Sequence, residues 1–206
     1  MKEFTILMAL ADMIPVGMFA VGSVMLQRDL YNKMSKGAFA LFATGTINIT
    51  CAGFLKAIYK LLYAMNICDF EVLSKMFFPT MSIGFLLAGL GLFGMLFHRQ
   101  TKNAALAVAP PVFSGTFIFV ACMILGIGMI YIVLGNIAIR LKKRYLIVLF
   151  VIAFFSLLSM GYLSSKDFTE AYMNWVAEGI NFIAQGIFLY GAIALRKAGL
   201  AKLELH

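Results

Sequence analysis

Four amide and carboxylate side chains recur at helical spacing in the last apolar segment of the chain. They are Asn174, Glu178, Asn181 and Gln185. Their steps of four, three and four residues place all four on one face of an α-helix. An ionisable group at the centre of a membrane helix costs about 2.5–3.5 kcal/mol to insert, so we expect this face to contact a polar partner or water. It could bind a cation or a polar solute, or it could be a polar clamp in which Glu178 pairs with Arg28 or Lys36.

An aspartate and a proline lie three residues apart near the middle of the first apolar segment. Pro15 has no amide hydrogen, so the carbonyl of Ala11 loses its usual donor and the helix kinks. Asp12 beside this carbonyl is a candidate cation or proton site. The alternative is structural, because Lys56 and Lys60 are expected in the same half of the second segment and either could pair with Asp12.

The second apolar segment carries its own polar stripe, in which Asn48 and Lys56 are the candidate solute ligands. Asparagine inside an apolar helix commonly hydrogen-bonds to a neighbouring helix. A lysine near a helix end can extend its amine toward the surface. Binding and structural roles therefore both stay open for these two residues.

The sequence lacks the signatures of catalysis, metal binding and nucleic-acid binding. It contains no HExxH, GxSxG or Walker-type motif. With His98 and His206 as the only histidines and three cysteines without CxxC spacing, we expect no metal and no cofactor. The basic residues stand at the ends of apolar runs, which is not the pattern of a nucleic-acid surface. These observations disfavour an enzyme.

The composition requires that helices in lipid hold these polar residues. Of 206 residues, 63% are hydrophobic and 13% are charged, whereas about 25% are charged in a typical soluble domain. A soluble fold of this size could not bury so much apolar surface, but lipid can cover it. We therefore predict an all-α integral membrane protein.

Six apolar segments are long enough to cross about 30 Å of hydrocarbon as helices. They cover about 4–26, 37–64, 80–97, 112–139, 145–164 and 171–195. Short charged connections between them predict antiparallel neighbours in a six-helix bundle, which forms a single transmembrane domain over 1–206.

The longest connection has an amphipathic pattern of its own. Ile67, Phe70, Leu73 and Phe77 recur at helical spacing, with polar residues between them. The segment 66–78 could lie in the headgroup plane as a short interfacial helix. A structured loop that packs its aromatic residues against the bundle explains the pattern equally well.

The distribution of basic residues predicts an orientation. With six spans, the side that holds both termini carries nine Lys and Arg residues and the other side six. This bias favours a plasma (inner) membrane protein with both termini in the cytoplasm. A hidden seventh span would break the count, but Pro110-Pro111 and the lack of a polar loop argue against splitting the apolar stretch from Ala104 to Ile139.

The third and sixth spans share a pattern that leaves open two inverted three-helix repeats. Phe85, Gly89, Phe93, Gly94 and Arg99 align with Phe182, Gly186, Tyr190, Gly191 and Arg196 at a constant offset of 97. Many transporters consist of inverted repeats, with the binding site where the repeats meet. Within the third span, the small residues Gly84, Ala88, Gly91 and Gly94 predict a close helix–helix contact.

Together these features favour a small transporter or solute-binding membrane component. Its partners would be the lipid bilayer and a polar or cationic small molecule or protons, with a homo-oligomer or a membrane partner subunit as a further option. A sensor or accessory subunit without transport is the second hypothesis, in which the polar residues are clamps. An intramembrane enzyme that modifies a lipid, with Asp12 or Glu178 as its acid and Lys56 as its partner, is the third.

Overall fold

The computed structural model describes residues 5–96, 116–163 and 171–203, and the described chain is helical throughout except for short connections. The α-helices are α1 (Ile6–Leu30), α2 (Lys36–Ala64), α3 (Glu71–Leu96), α4 (Thr116–Arg140), α5 (Tyr145–Leu163) and α6 (Ala171–Lys197). Short 3-10 turns follow α1 at Tyr31–Lys33 and α6 at Leu200–Lys202. Each predicted span overlaps one of these helices, and α3 begins nine residues before its predicted span.

Length and composition of the helices indicate a membrane protein. Five of them, α1, α2, α3, α4 and α6, are long and apolar enough to cross a membrane. The remaining helix, α5, is also apolar, but its apolar stretch, Tyr145–Met160, is shorter than those of the other five.

The structure differs from the predicted interfacial helix at 66–78. Residues 71–78 form the first two turns of α3, which continues through Pro79 without a break. Glu71 in the first turn complements the helix dipole and pairs with Lys75 at 3.1 Å. The helical periodicity of Phe70, Leu73 and Phe77 is confirmed from residue 71 onward. Pro79 removes one backbone hydrogen bond but does not end the helix.

The helices follow one another around the bundle, and α6 closes it against α1. Glycines allow α2 and α3 to approach most closely. A Cβ atom at Gly45 would lie 2.5 Å from the carbonyl oxygen of Gly84, and one at Gly91 would lie 2.5 Å from the amide nitrogen of Phe42. Ala88 is fully buried in this contact. The close contact predicted from the small residues of α3 is confirmed at these positions.

Contacts between side chains fix the directions of the first three helices. Asp12 pairs with Lys60, and Gln27 donates to Thr46 over 2.7 Å, so α1 and α2 are antiparallel. The amine of Lys56 lies 4.1 Å from the ring centre of Phe77. Together with the contact between Gly91 and Phe42, this makes α2 and α3 antiparallel as well.

The last helix runs parallel to the first. The rings of Phe19 and Phe188 stack at 5.0 Å, and further along both helices Asp29 Oδ1 lies 3.9 Å from Arg196 Nε. Beyond both helix ends, the amine of Lys33 donates to the carbonyl of Leu203. The described chain therefore starts and finishes at opposite ends of the bundle.

This geometry differs from the predicted scheme, in which strict alternation returns the C-terminus to the side of the N-terminus. Tyr131 and Gly128 on α4 face Phe150 and Phe154 on α5, so α4 and α5 are antiparallel. Since α5 and α6 are also antiparallel, α4 has the direction of α6, α1 and α3. The connection from Leu96 to Thr116 consequently joins opposite ends of the bundle, and the assumption that every connection returns to its own side fails there.

The observed directions collect the positive charge at one end, which we call the basic end. Ten basic residues of the described chain lie there: Arg28, Lys33, Lys36, Arg140, Lys142, Lys143, Arg144, Arg196, Lys197 and Lys202. The opposite end has Lys75 with Asp69 and Glu71. The weak bias of the alternating scheme thus becomes a strong one.

Candidate functional site

The polar face of α6 points into the bundle. Glu178 and Gln185 are buried, each 8% exposed, and they share the inward face with Ala184 and Phe188. Asn181 is half-buried between them. Asn174 is also half-buried but lies one turn closer to the N-terminal end of α6, away from the centre.

Glu178 is one of three described residues with a buried side-chain oxygen that has no hydrogen-bond partner, beside Ser23 and Asp29. Its Oε1 is buried, and none of the described residues donates a hydrogen bond to it. The predicted pairing with Arg28 or Lys36 does not occur, because both basic residues belong to the basic end and Glu178 lies in the other half of α6. A buried polar atom without a partner costs about 1–3 kcal/mol, and more when it is charged.

A small cavity lies beside this face, in the middle of the bundle. It has a volume of about 50 Å³ and is lined from α6 by Asn181 and Gln185. Four other helices, α2 to α5, contribute only apolar groups: Ile49, Phe77, Phe78, Met81, Phe85, Met123, Ile127, Leu157 and Met160. Gln185 also borders a second void of about 10 Å³, which it shares with Phe19 and Phe188. The two amides are thus the polar groups of an otherwise apolar chamber.

Asp12 is held in an ion pair. Its carboxylate contacts the amine of Lys60, and both side chains are only 9% exposed. Of the two interpretations of Asp12, the structure displays the pair with lysine from α2. Pro15, three residues after Asp12, lies inside the continuous helix α1, so the hydrogen bond lost at this proline does not interrupt the helix.

Lys56 occupies a different setting from Lys60. Its amine lies over the face of Phe77, where the ring quadrupole attracts a cation. Phe77 also lines the central cavity. Lys56 therefore packs at the edge of the chamber through this ring.

The parallel course of α1 and α6 brings the acidic residues to one half of the bundle. Asp12 lies seven residues before Phe19, and Asn181 lies seven residues before Phe188. Because these two rings stack and the helices are parallel, Asp12 and Asn181 lie at the same depth. Strict alternation of six spans would put Asp12 and Glu178 in opposite halves, and the parallel course of α1 and α6 does not allow this. Both lie in the half away from the basic end.

Asn48 is the candidate that the structure leaves apart. It is half-buried on α2 and does not line the cavity, although its neighbour Ile49 does. Sequence analysis missed the aromatic and methionine lining, such as Phe78 and Met123. In an apolar helix, the sequence does not distinguish an apolar side chain that lines a cavity from one that faces lipid. Only the packing of the helices shows which side chains enclose the cavity.

The described residues contain no group of three or more His, Cys, Asp and Glu side chains that could hold a metal ion. The arrangement offers instead two carboxamides that line a small cavity and, on the same helix face but outside the cavity lining, one carboxylate oxygen without a described donor. Such a set can coordinate a small cation or hydrogen-bond a small polar molecule. Comparisons with family models, with curated proteins and with solved structures find no match for this chain.

Proposed function

We propose that the protein is a membrane transporter or solute-binding membrane component that takes a small cation, a small polar molecule or a proton at the Glu178 face. One observation carries the proposal. A buried carboxylate oxygen has no donor among the described residues, and it shares a helix face with two carboxamides that open into an internal cavity. A bound cation or proton would satisfy that oxygen.

The volume of the cavity restricts the solute. About 50 Å³ exceeds the share of liquid volume of one water, about 30 Å³, but it is far below the several hundred cubic ångströms typical of drug-sized ligand sites. Phe78 lines the cavity, and an aromatic ring attracts a cation that has shed its water, whereas one face of the Phe77 ring is already occupied by the amine of Lys56. An ammonium-sized cation or a proton with its water fits these limits.

The charge distribution supports an orientation. Lys and Arg accumulate on the cytoplasmic side of membrane proteins, so the basic end and the C-terminus face the cytoplasm and the N-terminus faces the outside. This replaces the expectation of two cytoplasmic termini. The plasma (inner) membrane remains the proposed location, and the Glu178 face then lies in the outer half of the bilayer.

Proteoliposomes test the transport function. We expect purified protein to carry radiolabelled methylammonium, or protons reported by an internal pH dye, and Glu178→Gln to abolish the flux, because it removes the charge at constant shape. Glu71→Gln is the matched control, since Glu71 is exposed at the start of α3, and it should transport like the original protein. Unchanged flux of both probes in Glu178→Gln would reject the proposal.

A non-transporting accessory subunit is the second candidate, and the Asp12–Lys60 pair favours it. Together with the hydrogen bond from Gln27 to Thr46, this pair shows polar groups serving as clamps between α1 and α2. If Glu178 is another clamp, Glu178→Gln lowers the melting temperature in detergent while neither probe moves in the original protein. Melting and flux measured on the same preparations separate the two candidates.

A further inference from the structure

A long apolar groove runs along the outside of the bundle between α4 and α5. It encloses about 430 Å³ and lies in the half of the bundle that leads to the basic end. Its lining is Gly128, Tyr131, Ile132, Gly135, Asn136, Ile139, Ile147, Phe150, Val151, Phe154 and Phe155. The amide of Asn136 already donates to the carbonyl of Ile132 over 2.9 Å, so the groove offers almost purely apolar contact.

Two glycines open this groove. A Cβ atom at Gly135 would meet nothing within 4 Å, and one at Gly128 would meet only the ring of Phe154 at 3.8 Å. Tyr131 and Phe150 are buried and form the floor, while the walls expose Ile132 and Phe155. Since the glycines stand two helical turns apart on one face of α4, they keep a continuous channel free along the helix.

The groove ends under a strong positive charge. The connection between α4 and α5 carries Lys142, Lys143 and Arg144, which follow the lining residue Ile139 within five positions. The basic end has one described acidic residue, Asp29, and its buried carboxylate faces Arg196 on another part of the bundle. The side chains of Lys142, Lys143 and Arg144 are all exposed at this end of the groove.

From this combination we propose that the groove is a binding site for an acidic phospholipid. One acyl chain lies between α4 and α5, and the phosphate contacts the basic connection. The lining from Gly128 to Ile139 spans about 16 Å at 1.5 Å per residue, which equals about half of a 30 Å hydrocarbon core. Groove length and charge both fit one leaflet, the one at the basic end. The site is separate from the Glu178 face and does not depend on transport.

Native mass spectrometry of the purified protein tests this with dioleoylphosphatidylglycerol and dioleoylphosphatidylcholine as probes. We expect the anionic lipid to bind more tightly than the zwitterionic one. Gly135→Leu puts a bulky side chain into the groove at a position where a Cβ atom meets nothing within 4 Å, and it should prevent binding. Gly17→Leu on α1, where a Cβ atom also meets nothing within 4 Å, is the matched control and should bind lipid normally.

Removal of the charge tests the headgroup contact. Each basic side chain near an anionic lipid contributes roughly fivefold in affinity, so Lys142→Gln/Lys143→Gln/Arg144→Gln should weaken phosphatidylglycerol about a hundredfold and leave phosphatidylcholine unchanged. Equal affinity for both lipids in the original protein would overturn the proposal. So would normal phosphatidylglycerol binding by Gly135→Leu, or a dimer that Gly135→Leu dissociates, which would assign the groove to a second copy of the chain.

Discussion

Two carboxylates in the same half of the bundle have opposite settings. Asp12 contacts a lysine from the neighbouring helix, whereas Glu178 buries an oxygen for which no described residue supplies a donor. A buried ion pair contributes little net stability because of its desolvation cost, but breaking it leaves one uncompensated charge. Asp12 therefore has a structural role in the fold, whereas Glu178 is the residue to which the proposed function assigns the ligand.

The ion pair gives a prediction for stability. Asp12→Asn or Lys60→Met alone should lower the free energy of unfolding by about 3–5 kcal/mol, because each leaves a buried charge without its partner. The double variant should recover much of this loss, since both charges are then gone. Unfolding in mixed micelles with a denaturing detergent measures all three. Additive losses in the double variant would show that the pair is not coupled.

Helix packing depends on glycines at two crossings. Besides the contact of Gly45 with α3, a Cβ atom at Gly126 on α4 would lie 2.3 Å from the backbone of Phe85. Both crossings hold α3, which in turn supplies Phe77, Phe78 and Met81 to the cavity. The shape of the chamber therefore rests on backbone contacts at positions far from its polar groups.

The α2–α3 crossing yields the next prediction. Gly45→Ala should lower the free energy of unfolding by about 1–3 kcal/mol, because the added methyl group must push two backbones apart. Gly17→Ala adds the same methyl group where nothing lies within 4 Å, so it should leave stability unchanged. Thermal unfolding in detergent compares the two. Equal melting temperatures would indicate that α2 and α3 do not cross at Gly45.

Over the whole molecule, the parallel course of α3 and α4 changes the orientation that the charges imply. Alternation of six spans placed nine basic residues on one side and six on the other. The observed directions put ten of the described basic residues at one end. The helix directions follow from the contacts of Lys33, Asp29 and Phe19 with the C-terminal region. They yield an unequal distribution of basic residues of the kind that the positive-inside rule describes.

The native cysteines allow a direct test of this orientation. Cys68 is exposed at the end opposite the basic end and Cys122 is buried, whereas Cys51 is exposed midway along α2, where we expect the bilayer to shield it from a membrane-impermeant reagent. In sealed right-side-out vesicles, a membrane-impermeant maleimide should label Cys68, and Cys68→Ser should remove the signal. Lys143→Cys in that background should react only after the vesicles are permeabilised. Labelling of both positions from the same side would contradict the helix directions.

Sequence alone predicted the six helices and the inward polar face of α6, because both follow from hydropathy and a 3.6-residue period. It also named Lys60 among the two partners considered for Asp12. It could not predict that α3 and α4 run parallel, because hydropathy identifies an apolar helix but does not indicate which way the chain runs along it. Nor could it predict the apolar groove between α4 and α5, because Gly128 and Gly135 contribute to it through the space beside them and not through any polar signal.

The difference between the two carboxylates has a consequence for electrical behaviour. A lysine–aspartate pair is neutral as a unit, so a transmembrane voltage exerts no net pull on it. Glu178 is neutral only when a proton or a cation sits on it, and a charge that crosses the full field gains about 2.3 kcal/mol per 100 mV. Under the proposed function, the voltage therefore acts on the empty ionised site and not on the occupied one.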